Sequence, residues 1–151
     1  MCQRGKAQVS MEFFITLSIS LLIFIIMGFV IHQKYVESME TKIHLDGKRV
    51  VRRVADNINT ICKAGDGYST QFVLPGRLYG HDNYTIKFYR NETVVWMYSE
   101  GDTWMASLIT SQIECRPGAC DSVGGVQAIN VNKNIRLGVE NEEGVIWIEV
   151  I

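Results

Sequence analysis

Few side chains in this 151-residue sequence combine the types and spacings that chemistry needs. Its three histidines, His32, His44 and His81, are scattered, and no His-x-x-x-His pair occurs. A metal site therefore has no helical or loop spacing to build on. No Gly-x-Ser-x-Gly elbow is present, and Gly65, Gly67, Gly124 and Gly125 read as turn residues rather than a phosphate loop. The reading is no catalytic residue, no cofactor, no metal and no enzyme. Two other chemistries remain. Cys115 and Cys120 enclose Arg116-Pro117-Gly118-Ala119, and a Pro-Gly turn brings the two sulfurs together. Outside the membrane this is a disulfide, worth about 2 kcal/mol for so short a loop. Cys62 is then either unpaired or a competitor for one of the two. Asn83-Tyr84-Thr85 and Asn91-Glu92-Thr93 are sequons at expected turns, so Asn83 and Asn91 are candidate glycosylation sites in an extracytoplasmic compartment.

The elements that must position these residues are unevenly distributed. The composition is 47% hydrophobic and 21% charged, with fifteen aromatic residues and only two prolines. That excludes intrinsic disorder and a proline-rich or collagen-like chain. A formal net charge of −1 argues against a polybasic nucleic-acid binder, and no nucleic acid is expected as a partner. Of the nineteen positions 13–31, fifteen are large and apolar, and none is charged. As a helix the segment spans roughly 28 Å, close to the hydrocarbon thickness of a bilayer. It is longer than the apolar region of a conventional cleaved signal peptide, and no small-x-small cleavage site follows it. Arg4 and Lys6 precede it, which places the N-terminus in the cytoplasm and the residues from His32 onward outside.

Glu12 abuts this run at its N-terminal edge, where a carboxylate is costly to desolvate without a partner. Placement near a helix N-terminus stabilises it by about 0.3–1 kcal/mol, but does not account for the residues before it. Those residues read Arg4-Gly5-Lys6-Ala7-Gln8-Val9-Ser10-Met11-Glu12-Phe13. A short basic leader, then Gln-x-Ser-x-Glu-Phe, then an uninterrupted apolar helix resembles the class III signal peptide of archaeal type IV pilin-like proteins. The resemblance implies cleavage by a prepilin peptidase between Ala7 and Gln8, which makes residues 1–7 a leader containing Cys2. It also implies assembly with itself or other pilins through the N-terminal helices, from a lipid-embedded precursor. Glu12, the fifth mature residue, would neutralise the N-terminus of a neighbour, each charge offsetting the other's desolvation.

Helical periodicity continues past the apolar run. Val36, Met39, Ile43, Gly47, Val50, Val54, Ile58 and Ile61 advance at the helical period, with charged residues on the other faces. One helix from about 8 to 61 is predicted, roughly 80 Å long, apolar all round in its first half and striped in its second. Gly47 interrupts the stripe against helix propensity, which points to a close approach there. Lys48, Arg49, Arg52 and Arg53 form a basic cluster on one exposed sector and read as a solvated face. Beyond Ala64-Gly65-Asp66-Gly67, short β-branched and aromatic runs predict strands at 68–74, 84–89, 93–98, 104–113, 126–132, 135–140 and 145–150. Ile135, Leu137 and Val139 are set opposite Ile146, Ile148 and Val150 in a terminal hairpin. Trp96, Tyr98 and Trp104 are core residues first and a recognition surface second.

The expected fold is α+β, a long N-terminal helix packed on an antiparallel β-sheet or small sandwich. Its parts are a leader at 1–7, a helix at 8–62 with the transmembrane or assembly part at 13–31, and an extracellular β-rich head at 63–151. The expected function is structural: a major or minor subunit of an archaeal type IV pilus-like surface filament, with a part in adhesion. The alternative is an uncleaved single-pass membrane protein whose outer β domain binds a ligand or partner.

Overall fold

The computed structural model describes residues 4–79 and 81–151, with side chains from 11 onward. Residues 1–3 of the expected leader, Cys2 among them, lie outside the described residues. The fold is α+β: one long helix, α1 (Arg4–Ala64), followed by nine strands. The chain forms two compact units, Met1–Thr41 and Lys42–Ile151. The first is helical over its described residues.

In the second unit, residues 42–64 of α1 pack on two sheets. Strands β1 (Ser69–Leu74), β8 (Ile135–Glu142), β9 (Val145–Val150) and β5 (Ile113–Cys115) make a four-stranded sheet in the order β1-β8-β9-β5. Strands β4 (Asp102–Ser107), β3 (Val94–Ser99), β2 (Tyr84–Tyr89), β7 (Val126–Val131) and β6 (Asp121–Val123) make a five-stranded antiparallel sheet in that order. Only the β5–β9 pairing is parallel among the described strands. Alternation sets the faces: Tyr84, Ile86 and Phe88 of β2 are buried, as are Leu137 and Val139 of β8 and Ile146 and Ile148 of β9. They share one core with Val50, Val51, Val54, Ala55, Ile58 and Ile61 of the helix. Covering the apolar faces of both sheets with a helix is what makes each of them stable in water.

Several sequence expectations are corrected. The buried stripe does not begin at Val36, which is 44% exposed. Val36 and Met39 belong to the first unit, and full burial starts at Gly47 with Ile43 partly covered. Val51 and Ala55 widen the stripe, because the helix meets two sheets and needs a broader apolar face. The single strand expected at 104–113 is two strands in different sheets. Between them the Ile109 amide donates to Asn59 Oδ1 at 2.8 Å and the Gln112 amide to Thr110 Oγ1 at 3.1 Å. Side chains thus satisfy backbone groups that a ladder would otherwise take, and the chain crosses from one sheet to the other. Strand β6 has no counterpart among the expected strands; its three residues are all exposed and give no alternation. In the terminal hairpin Leu137 faces Val150 and Val139 faces Ile148, but Ile146 faces Asn141. Ile135 instead pairs with Leu74 of β1.

Gly47 meets its expectation of a close approach. A Cβ there would overlap the indole of Trp104, which is buried and donates from Nε1 to the His44 carbonyl at 3.1 Å. Across the same unit the Tyr84 hydroxyl donates to the Pro75 carbonyl at 2.7 Å. Burial, and secondarily the charge of Asp46, pushes this phenol up from its ordinary value.

Two outcomes follow. Gly47→Ala should destabilise the fold by about 1–3 kcal/mol in urea unfolding, although alanine favours an isolated helix by about 1 kcal/mol. For Tyr84 the neutral phenol is the form the fold prefers, so its contribution is complete below about pH 10 and is lost as pH rises above that. Tyr84→Phe should cost about 1 kcal/mol at neutral pH, and should lose less stability than the parent between neutral and strongly alkaline pH.

Candidate functional site

The feature with the greatest physical consequence is the apolar part of α1. Every side chain from 11 to 31 is exposed. Phe24 is 76% exposed, and the most apolar stretch has a mean hydropathy of 2.8 with none of it buried. A core helix of a water-soluble domain would be covered, so this segment needs lipid or other protein around it. At about 1.5–3 kcal/mol for each large side chain, leaving all of them in water costs tens of kcal/mol. That exceeds the roughly 5–15 kcal/mol by which a typical domain is stable.

Two of the segment's hydroxyls are arranged for a dry environment. The Thr16 hydroxyl donates to the Glu12 carbonyl and the Ser18 hydroxyl to the Phe14 carbonyl, each at 2.8 Å. Both hydroxyls are satisfied within the helix itself, which lowers their cost in hydrocarbon. A Cβ placed on Gly28 would meet nothing within 4 Å, so its face is open to close approach by another helix. Glu12 lies in α1 and is exposed. Ala7 and Gln8 are in the helical backbone, but their side chains lie outside the described residues.

The remaining sequence candidates all fall in the second unit. Cys115 and Cys120 form the disulfide, with Cα atoms 5.9 Å apart. It closes the turn between β5 and β6, which belong to different sheets, so it ties the two sheets together. Cys62 is a half-buried free thiol. Next to the bridge, Arg116 donates to Glu140 at 2.9 Å and Glu142 at 2.6 Å and lies over the Trp147 ring. Those two bonds, Glu142 first, hold the guanidinium's pKa above its ordinary value. Lys48, Arg49, Arg52 and Arg53 are exposed, without an ion pair among the described residues. Asn83 and Asn91 are both exposed beside β2.

The three aromatics separate. Trp104 is core, whereas Trp96 and Tyr98 lie on the outward face of the five-stranded sheet, stacked with ring centroids 6.2 Å apart. Their polar atoms are already engaged. Trp96 Nε1 donates to Glu92 at 3.1 Å, and Lys87 Nζ sits 4.8 Å from the Tyr98 ring centroid. The Tyr98 hydroxyl meets that of Tyr89 at 3.5 Å, a contact that pushes the Tyr98 phenol up to about 12.

One arrangement has no trace in the sequence. His81 is nearly buried and lies between Glu100 (3.3 Å) and Asp102 (3.1 Å), with its ring against Trp104. His44 lies on Trp104 as well, so two histidines that are scattered along the chain share one indole. Among the described residues, no three His, Cys, Asp or Glu side chains are grouped to hold a metal ion. The signal for His81 is a contact between segments about twenty residues apart, which no local spacing reveals.

A chain cut back to residues 42–151 should remain soluble without detergent, because its apolar side chains are largely in the common core. The whole chain should partition into detergent or sediment as assemblies, as read by phase separation and ultracentrifugation. No protein-family model, curated protein or solved structure matches this chain.

Proposed function

We propose that this protein is a subunit of an archaeal type IV pilus-like surface filament. One observation carries the reading. Gln8-Val9-Ser10-Met11-Glu12-Phe13 leads directly into an uncharged helix whose apolar side chains find no cover in their own chain. The precursor sits in the membrane with its N-terminus in the cytoplasm and is cut by a prepilin peptidase between Ala7 and Gln8. The apolar helices then leave lipid for a bundle of like helices, with self or other pilins as partners. That exchange brings little net hydrophobic gain, so close packing and the pairing of Glu12 with a neighbour's new N-terminus must favour assembly. The β-rich unit faces the exterior and serves adhesion. The protein has no catalytic role in this reading, requires no cofactor and takes no nucleic acid as a partner.

The mature N-terminus tests it. Protein recovered from cells should begin at Gln8 or its pyroglutamate form. A chain beginning at Met1 would instead support an uncleaved single-pass membrane protein with an outer ligand-binding or partner-binding domain. In the same cells Glu12→Ala should leave processing and abundance intact while abolishing filaments in electron micrographs. Filaments at parental numbers would remove Glu12 from the assembly mechanism.

A further inference from the structure

The structure assigns N-glycosylation to Asn91 and denies it to Asn83 in the folded protein. This rests on the exterior placement proposed above. A glycosyltransferase that uses a lipid-linked sugar phosphate must bind Asn-x-Thr as an open strand and read the Thr hydroxyl. The Asn amide nitrogen then bonds to the anomeric carbon, the bond from that carbon to the phosphate oxygen breaks, and the lipid phosphate leaves with the electron pair. The amide proton passes to the transferase's base. Both the Asn and the Thr must therefore be free of the fold.

The two sequons differ in this respect. Asn83-Tyr84-Thr85 runs into β2, which has a neighbouring strand on each side. Tyr84 is 2% exposed, and its hydroxyl is bonded to the Pro75 carbonyl. Thr85 pairs with Tyr98 on one side and Asn130 on the other. Its hydroxyl already donates to Asn130 Oδ1 at 2.8 Å. The Asn83 carbonyl accepts from Ser99. Opening this sequon means unpairing the start of a central strand and withdrawing Tyr84 from the core.

Asn91-Glu92-Thr93 lies in the turn between β2 and β3, and all three residues are exposed. The turn is closed by the Glu92 amide donating to the Tyr89 carbonyl, and Asn91 takes a φ of 69°, a region that asparagine tolerates. Freeing it disturbs the turn, the Trp96–Glu92 bond and the bond from the Leu108 amide to the Thr93 carbonyl, but withdraws no side chain of the sequon from the core.

Tryptic cleavage after Lys87 and Arg90 puts the two asparagines on different peptides, so mass spectrometry of protein from the native host reads them separately. The peptide beginning at Asn91 should carry the added sugar mass, and the 78–87 peptide should be bare. Asn91→Gly, which suits the positive φ, and Thr93→Ala should each abolish the mobility shift, whereas Asn83→Gln should keep it. Sugar on Asn83 at equal or greater occupancy would overturn the assignment. So would two bare asparagines on a chain that begins at Gln8. Two bare asparagines on a chain whose residues 42–151 resist protease added to intact cells would overturn the exterior placement along with it.

Discussion

An apolar helix surface that its own chain does not cover constrains everything else in this protein. Residues 13–31 carry no charge and all are exposed, so the segment is stable only in lipid or against other helices. Neither environment distinguishes itself by hydrophobicity, since a lipid tail and a leucine are equally apolar. The choice between them falls to the features that are not hydrophobic: the satisfied hydroxyls of Thr16 and Ser18, the open face at Gly28, and Glu12 at the edge. A carboxylate in that position is a liability for a permanent anchor and an asset where a neighbour supplies a positive charge.

The second unit is organised by a separate constraint. Residues 42–64 of α1 must cover two sheets at once, and the tightest point is where Trp104 lies over Gly47. The indole also holds the His44 carbonyl and stands against His81, itself clasped by Glu100 and Asp102. On the far side, the Cys115–Cys120 bridge and the Arg116 ion pairs secure the passage between the sheets. Its outward-facing Trp96 and Tyr98 are internally engaged, and the basic sector of α1 is solvated. The unit is thus stapled by one disulfide and one cluster of ion pairs.

Much of this is legible in the residues because it depends on local pattern. An uncharged run longer than the apolar region of a signal peptide, a stripe at helical period, and alternating strands such as 84–89 and 145–150 are each read from residues close in the chain. Gly47 is legible as an anomaly, and the Pro-Gly turn between Cys115 and Cys120 as a device for closing a bridge. What escapes a local reading is long-range. The break after β4 depends on Asn59, fifty residues away from the amide it binds. Burial of the stripe only from Ile43 depends on where the sheets meet the helix, and β6 is a polar edge held by its neighbour β7 rather than by its own sequence. Of the candidate site, the apolar run and Glu12 are readable at once; the difference between the two sequons requires knowing that Thr85 is paired on both sides.

In the proposed function, residues 13–31 are an assembly element and only transiently a membrane anchor. The most direct measurement is the fate of the intact helix when intact cells are sheared and the released material is sedimented. The chain, with 13–31 still attached, should appear in the sedimentable sheared fraction as filaments. Recovery of the whole chain in the membrane pellet, with none in the sheared fraction of filament-bearing cells, would contradict it.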